Sequence, residues 1–160
     1  MAAIYPGSFD PFTNGHLDIA ERALDVVDKL IIGVLNNTTK TSLIPIEQRV
    51  ELIQETLKEY GDRVEVESFK GLLVEYCKHK KIYTVVRGLR AVSDFDYEHA
   101  IYLMNKKMLP DFETLFFMSN TESSFISSTI VKEVASLGGE VVDQVPEPVY
   151  RKLREIYADK

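Results

Sequence analysis

Apolar residues gather in five short stretches, and the segments that follow each of them repeat their apolar positions every three or four residues. The short stretches have the length of buried strands and cover residues 2–5, 30–35, 64–69, 82–86 and 114–118. The other segments have the period of amphipathic helices and cover residues 16–28, 46–60, 72–79, 92–109, 129–137 and 148–157. Strands and helices are therefore expected to alternate along the chain.

This alternation predicts an α/β fold: a doubly wound, five-stranded parallel sheet with helices on both faces, in one domain spanning residues 1–160. Ligands of such sheets bind beyond the carboxyl ends of the strands. Glycine and polar residues collect in the loops expected at those ends, namely 6–15, 36–45, 69–73, 87–93 and 119–128. One site on one edge of the sheet is the simplest interpretation.

The composition limits the possible functions of the protein more than it limits the possible folds. The net charge of −6 disfavours a general nucleic-acid-binding role but allows a local basic site for a phosphorylated ligand. The single cysteine, Cys77, excludes an intrachain disulfide and fits a reducing compartment. Neither a leader peptide nor an apolar run approaching ~18 residues is seen, which predicts a soluble cytoplasmic protein with no membrane partner.

The first loop carries the most unusual sequence, Tyr-Pro-Gly-Ser-Phe-Asp-Pro-Phe-Thr-Asn-Gly-His, from Tyr5 to His16. A strand, a glycine-containing turn and a helix start point backbone N–H groups and the positive helix end at an anion. His16 is expected in the first helical turn, facing that anion. Taken alone, such a connection is more often only a turn, and a lone histidine there is more often a surface residue.

A basic pair follows the fourth predicted strand, where Arg87 and Arg90 flank Gly88-Leu89. Arginine forks suit phosphate or carboxylate, and a glycine lets a ligand approach the backbone. The alternative is a solvated pair at the sheet edge, but the position at a strand's carboxyl end favours phosphate binding.

Two further polar stretches are less specific. Lys40 lies in the polar loop 36–42 and, judged alone, is an ordinary surface lysine. Ser127, Ser128 and Thr129 precede a helix, so one hydroxyl is expected to cap it while the others remain available to an anion.

The long helix predicted over 92–109 is apolar around much of its circumference. Tyr97, Ile101, Met104 and Met108 form one stripe, and the apolar arc is wider than one buried face needs. Packing against a second subunit is the hypothesis, and a deeply buried helix within a monomer is the alternative. Glu98 on this helix is not distinguished from a solvated carboxylate by pattern alone.

Other chemistries lack their signatures. The chain has no phosphate-binding loop of the Gly-x-x-x-x-Gly-Lys-Ser/Thr type and no dinucleotide fingerprint after the first strand. His16, His79, His99 and Cys77 do not have the spacing of transition-metal ligands, so no protein metal site is predicted.

Three segments together closely resemble the bacterial phosphopantetheine adenylyltransferase family of the nucleotidyltransferase superfamily. They are the first loop, Arg-Gly-Leu-Arg-Ala-Val-Ser-Asp-Phe-Asp-Tyr-Glu at 87–98, and Ser-Phe-Ile-Ser-Ser-Thr-Ile-Val-Lys-Glu-Val at 124–134. The resemblance covers nearly the whole chain and implies a Rossmann-like nucleotidyltransferase fold. It implies adenylyl transfer from ATP to 4′-phosphopantetheine, giving dephospho-coenzyme A and pyrophosphate by direct in-line attack. It also implies Mg²⁺ carried by the nucleotide, a homohexamer, and feedback inhibition by coenzyme A.

The resemblance also implies residue roles. The catalytic residues would be His16, Lys40 and Arg90, with His16 donating to the α-phosphate. The residues that bind phosphopantetheine would be Ser8, Lys40, Leu73 and Arg87. The residues that bind ATP would be Ser8, Phe9, His16, Gly88, Leu89, Arg90, Glu98, Ser123, Ser124, Phe125, Ile126, Ser127, Ser128 and Thr129.

The chain departs from the family pattern at a few positions. Ser8 stands where many members have threonine, and Thr129 where serine is common, so both hydroxyls survive. Ser123 replaces a common aromatic residue, and Ser136 stands where some members have arginine, which puts a coenzyme A contact there in doubt.

Three alternatives remain open. A nucleotidyltransferase acting on another phosphorylated acceptor, such as nicotinamide mononucleotide, fits the first loop and the segment 126–129 equally well, whereas the segments 87–90 and 94–98 favour pantetheine. A non-catalytic nucleotide sensor on the same fold is disfavoured because His16 and Lys40 are both present. A nucleic-acid-binding module is disfavoured by the net charge and the short chain.

Overall fold

The computed structural model of the chain describes residues 1–158, in which strands and helices alternate from the first residues onward. The strands are β1 Ala2–Gly7, β2 Lys29–Leu35, β3 Val64–Phe69, β4 Thr84–Leu89 and β5 Glu113–Met118. The helices are α1 Asn14–Leu24, α2 Ile46–Thr56, α3 Leu73–Lys80, α4 Val92–Met108, α5 Ser128–Ser136 and α6 Glu147–Tyr157, with a 3₁₀ segment at Lys58–Arg63.

All five strands pair in parallel in the order β3-β2-β1-β4-β5. The chain moves outward from β1 through β2 to β3, then returns to the other side of β1 for β4 and β5. The strand order therefore reverses between β1 and β4, where Ile4 lies opposite Val85. A crevice opens at the carboxyl ends of the two strands at such a reversal.

Alternate strand residues face two separate cores. Tyr5, Ile32 and Val86 pack with α1, α2, α5 and α6, whereas Ile4 and Val85 pack with α3 and the end of α4. Both faces of the sheet are thus covered, and the predicted doubly wound α/β fold is confirmed.

The fourth strand extends beyond its predicted end at residue 86. Arg87, Gly88 and Leu89 are paired with β5 residues up to Met118, so they belong to the sheet rather than to a loop. Gly88 is packed closely, because a Cβ there would lie 3.2 Å from the side chain of Ile19. The pairing holds the backbone at Arg87 in place and brings it to the edge of the crevice.

Two helices are shorter than predicted. The first ends at Leu24 rather than near residue 28, because Val27 turns into the core and β2 begins at Lys29. The second gives way to the 3₁₀ segment, where Gly61 has φ 52° and ψ −134°, a conformation that favours glycine.

Helix α4 presents most of its apolar side chains to solvent. Its buried residues are Glu98 and Asn105, both polar. Exposed apolar side chains on it include Val92, Phe95, Tyr97, Leu103, Met104 and Met108. The alternative of a helix buried within the monomer is therefore wrong.

Within residues 1–158, no helix combines the length and the apolar character that crossing a bilayer requires.

Candidate active site

Two adjoining clefts open at the carboxyl edge of β1 and β4. The first has a volume of about 440 Å³ and lies between the first loop, the end of β4 and the start of α5. The second has a volume of about 430 Å³ and lies between β1, α3 and α4. They share a wall formed by Pro6, Gly7, Arg87, Tyr97 and Glu98. Two ligands, one in each cleft, would therefore meet at this wall.

The first loop folds back on itself around Phe9. Phe9 is 3% exposed and has φ 49°, an unusual value for a residue with a side chain. Its ring covers Gly7 so closely that a Cβ on Gly7 would lie 2.9 Å from ring atoms. The same ring packs edge-on against the imidazole of His16, with centroids 5.0 Å apart. Glycine at position 7 and the turn at Phe9 thus position the Phe9 ring, which packs against His16.

The tautomer of His16 follows from a capping box at the start of α1. The His16 backbone N–H donates to Thr13 Oγ1 at 3.3 Å, and the Thr13 backbone N–H donates to His16 Nδ1 at 3.0 Å. Since Nδ1 accepts a hydrogen bond, the proton of the neutral ring resides on Nε2. His16 lines the first cleft, so it is a neutral donor within reach of a ligand.

His16 stays neutral at physiological pH. Burial, together with the positive charges of Arg90 and Arg87, lowers the pKa of His16 from 6.5 to about 4. The ring can therefore donate a hydrogen bond from Nε2 without carrying a charge.

The shared wall is built on an ion pair between Arg87 and Glu98. Arg87 Nε donates to Glu98 Oε2 at 2.8 Å and Arg87 NH2 donates to Glu98 Oε1 at 2.5 Å, while NH1 donates to the Pro6 carbonyl at 3.2 Å. Glu98 is only 8% exposed. The sequence pattern treated Arg87 as a fork for phosphate, whereas in the structure this fork is engaged by Glu98.

Arg90 is the more accessible of the two arginines. Its backbone N–H donates to Asp94 Oδ2 at 2.9 Å, and its NH1 donates to the Ile126 carbonyl at 3.3 Å. Nearly half of its side chain is exposed, and it lines the first cleft with Gly88 and Leu89. Arg90 is thus a cation that a phosphate can reach.

The start of α5 closes the first cleft. Ser127 is the N-cap and accepts the Ile130 N–H at 3.1 Å, as expected for one of the three hydroxyls. Ser128 Oγ donates to the Pro11 carbonyl at 2.8 Å, and Thr129 lines the cleft. The free N–H groups at the end of the helix and the Thr129 hydroxyl make this a place for an anion.

The preceding loop contributes unevenly. Ser123 is buried, and its hydroxyl donates to Asn120 Oδ1 at 2.5 Å, while Ile126 is buried in the cleft wall. Ser124 and Phe125 are exposed and line neither cleft. The structure therefore separates these two from the other residues predicted in this segment.

The residues predicted for the second substrate are also divided. Ser8, Leu73 and Arg87 line the second cleft. Lys40 is exposed and lines neither cleft; its backbone N–H donates to the Asn37 carbonyl at 3.4 Å. Lys40 thus stands outside the clefts that hold most of the predicted residues.

Several residues of the site were given no individual role from sequence. Asp94 lines the first cleft, and Asn105 is a buried amide that lines the second. Asp10 and Arg49 are buried charges that hold the loops of the site together. A signal existed for Arg49, since it lies four residues before Ile53 and so on the apolar face of its helix.

Comparisons with known proteins agree with this geometry. The profile of the Cytidylyltransferase-like family matches residues 4–134. The bifunctional NMN adenylyltransferase/ADP ribose pyrophosphatase of Francisella tularensis has a similar fold, with a TM-score of 0.73 at 18% identity. That similarity covers 99% of this chain and 51% of the other.

Curated relatives are much closer in sequence. The phosphopantetheine adenylyltransferase of Leptospira biflexa is 55% identical over 147 residues, covering 92% of this chain and 91% of the relative. That of Carboxydothermus hydrogenoformans is 52% identical over 153 residues, covering 96% and 94%. Identity at this level over nearly the full length of both chains shows that this chain belongs to the phosphopantetheine adenylyltransferase family, within the Cytidylyltransferase-like proteins.

Proposed function

We propose that the protein transfers the adenylyl group of ATP to the phosphate of 4′-phosphopantetheine, giving dephospho-coenzyme A and pyrophosphate. The supporting observation is the neutral His16, which carries its proton on Nε2 and lines a cleft that shares a wall with a second cleft. A donor in one of two adjoining ligand sites suits a reaction between two phosphates. The close relatives carry the name of this activity.

The reaction is a direct in-line attack of the substrate phosphate on the α-phosphorus of ATP. His16 Nε2–H donates to an α-phosphate oxygen, whose charge builds up in the transition state. Positioning and charge stabilisation carry such a transfer, so no covalent nucleophile is needed. The cysteine does not offer one, because burial raises the pKa of the Cys77 thiol to about 11.

ATP occupies the first cleft. Phe9, Gly88, Leu89 and Arg90 surround its α-phosphate end together with His16. The start of α5, with Ser127, Ser128 and Thr129, takes the β- and γ-phosphates, supported by the positive end of the helix. Glu98, Ser123 and Ile126, which line the first cleft, contact the nucleoside.

Phosphopantetheine occupies the second cleft. Its walls are largely apolar, with Leu35, Phe69, Ile101 and Phe112, which suits a long uncharged arm. Leu73 contacts the arm, and Ser8 and Arg87 stand at the phosphate end beside the shared wall.

Lys40 lies outside both clefts, so its role requires the loop 36–42 to bring its side chain to the phosphate of phosphopantetheine. Its side chain is long and flexible, so it can act as a mobile positive charge on the phosphate of phosphopantetheine. Together with His16, Lys40 offsets the negative charge that develops on the phosphate oxygens during the attack.

The ATP is bound as its Mg²⁺ complex. Among residues 1–158, His, Cys, Asp and Glu side chains nowhere gather in threes that could hold a metal ion. Mg²⁺ would accordingly come with the triphosphate rather than with a cluster of protein ligands. When bound, Mg²⁺ would supply positive charge to the triphosphate, while Arg90 and the start of α5 would orient the phosphates.

The protein acts as a homo-oligomer, and we infer a hexamer from its family. The exposed apolar side chains of α4 support this, since a contiguous apolar surface is costly to leave in water. Coenzyme A inhibits by occupying the same clefts, because it contains the phosphopantetheine arm of the substrate. Light scattering that gives the mass of a monomer would contradict the oligomer.

The deciding experiment measures pyrophosphate release from ATP and Mg²⁺ with either 4′-phosphopantetheine or nicotinamide mononucleotide as the acceptor. Release that depends on phosphopantetheine alone supports the proposal. Release with the mononucleotide alone would keep the role of His16 but overturn those of Arg87 and Leu73. No release with either, from a folded protein that binds ATP, would point to a nucleotide sensor.

A further inference from the structure

Two buried charged side chains, Asp10 and Arg49, meet at the segment that carries Lys40. Asp10 is 8% exposed and Arg49 is 3% exposed, and neither lines either cleft. A buried charge destabilises a protein unless it is paired and hydrogen-bonded. The hydrogen bonds of Asp10 and Arg49 therefore show which segments of the chain these buried charges hold together.

The carboxylate of Asp10 holds the end of the Lys40 loop. Its Oδ2 accepts the Leu43 N–H at 2.9 Å, and its Oδ1 accepts the Ile44 N–H at 2.9 Å. Asp10 follows Phe9 directly, so the two bonds fix the chain just after Lys40 against the loop that forms the first cleft. Charge-assisted bonds of this kind are about twice as strong as neutral ones.

Arg49, on α2, binds the same end of the Lys40 loop. Its Nε donates to the Ile44 carbonyl at 2.9 Å, and its NH2 donates to Ser42 Oγ at 3.3 Å. Its NH1 donates to the Ser8 carbonyl at 2.6 Å. Arg49 thus ties the end of the Lys40 loop to Ser8, the residue beside the second cleft.

A third charge connects this arrangement with α5. Lys132 Nζ lies 3.3 Å from Asp10 Oδ2. Lys132 stands one helical turn after Ser128 and Thr129, the residues proposed to bind the triphosphate. Asp10, which belongs to the first loop, therefore contacts both the Lys40 loop and α5. We call Asp10, Arg49 and Lys132 with their bonds the Asp10 junction.

We propose that Asp10 is a positioning residue, which through the Asp10 junction sets where Lys40 stands relative to the reacting phosphate. Within the loop, Thr39 and Lys40 donate to Asn37, and at its start the Asn36 backbone N–H donates at 2.8 Å to the carbonyl of Phe69, which lines the second cleft. Beyond Lys40, the bonds of Asp10 and Arg49 tie the loop to the first loop. The proposal rests on the proposed function, because that assigns Lys40 its role.

A double-mutant cycle tests whether Asp10 acts through Lys40. Asp10→Asn keeps the size of the side chain but offers one oxygen to two N–H donors. We expect kcat for pyrophosphate release to fall about tenfold, with the KM for ATP changed less than about twofold. In a Lys40→Ala background the same substitution should cost less than about threefold, because the group that it positions is gone. Equal costs in both backgrounds would overturn the proposal, as would wild-type turnover in Lys40→Ala.

Hydrogen exchange provides a readout that needs no turnover. In Asp10→Asn, a peptide covering residues 36–45 should exchange faster than in the wild type, while Glu47→Gln should leave exchange and kcat unchanged. Glu47 is the matched control, because it is an exposed carboxylate that acts on Arg49 only through its charge. Unchanged exchange in Asp10→Asn would overturn the junction even if the wild type proved inactive with phosphopantetheine.

A second variant protects the test against misfolding. If Asp10→Asn melts below the assay temperature, Lys132→Met replaces it in the same cycle, since it removes one partner of Asp10 and leaves the loop bonds in place. We expect a loss of about threefold in kcat that again shrinks in the Lys40→Ala background. A loss of the same size in both backgrounds would contradict the proposal.

Discussion

Replacing His16 by asparagine isolates the hydrogen-bond donor that the capping box leaves on Nε2. The asparagine oxygen can still accept the Thr13 N–H, as Nδ1 does in the wild type, but no atom of asparagine reaches the Nε2 position. Losing one donor to a transition-state oxyanion costs about 2.7–4 kcal/mol, so kcat should fall by about 10²–10³. The KM for ATP should change little, because this bond strengthens only as charge builds up.

The pH dependence of the same variant checks the charge of the ring. The pKa of His16 is lowered to about 4 by burial and by Arg90 and Arg87, so the donor stays neutral from about pH 5.5 to about 8. The ratio of wild-type to variant kcat should be constant over that range. Taking the ratio cancels the titration of the substrate phosphate, whose second pKa is near 6, if it resembles that of a phosphorylated side chain.

The same lowered pKa has a consequence for stability. Between about pH 4 and 6.5 the native state binds fewer protons at His16 than the unfolded chain does. The neutral ring therefore makes its full contribution to the free energy of unfolding above pH 6.5. As the pH falls from 6.5 towards 4, the free energy of unfolding decreases by at most about 3 kcal/mol. Urea unfolding at pH 7 and pH 5 should show a larger loss in the wild type than in His16→Asn.

Pyrophosphate release at saturating concentrations of both substrates, with a single-turnover measurement beside it, separates chemistry from product release. Thr13→Val is the control for the cap, because it removes the Thr13 hydroxyl while keeping His16. Near-wild-type turnover in His16→Asn would refute the reasoning. So would a wild-type-to-variant ratio that falls above pH 6.5, as a charged imidazolium donor would require.

Three further predictions concern other parts of the site. Lys40→Ala should lower kcat and weaken phosphopantetheine binding in the same steady-state assay; an effect confined to the KM for ATP would contradict its role. Glu98→Gln should lower the free energy of unfolding by about 2–3 kcal/mol, because it leaves Arg87 without a counter-charge. The control Glu113→Gln removes one partner of an exposed ion pair and should lower it by under about 1 kcal/mol. Equal losses of the two variants in denaturant titrations would disprove this. Met104→Asp on the exposed face of α4 should lower the mass measured by light scattering, and an unchanged mass would remove that face from the interface.

Much of the fold was predictable because its signals are local. Apolar stretches of strand length and helical periodicity are set by neighbouring residues, and they placed all five strands and six helices. The end of β4 was missed because it depends on a partner strand: residues 87–89 continue pairing with β5, which no local pattern records. The shorter α1 has a similar cause, since the start of β2 determines where the helix must stop.

The clefts lie at the predicted edge of the sheet, but the pairing of the side chains that line them could not be predicted. The loops at the strand ends were identified correctly, and His16 lies in the first turn of α1 as expected. The tautomer of His16 and the engagement of Arg87 by Glu98 depend on atoms brought together only by folding. The position of Lys40 outside the clefts also could not be derived, because the sequence does not show how far a polar loop stands from its site.

The ion pair of Arg87 and Glu98 lines both clefts, so the binding free energy of a ligand in either cleft depends on the same pair. A ligand that breaks this pair from one cleft would leave a charge available to a ligand in the other. Linkage then requires each substrate to change the affinity of the other by the same factor. The order in which the substrates bind would affect the route to the ternary complex but not its free energy. The wall between the clefts would therefore make the enzyme respond to the joint supply of both substrates.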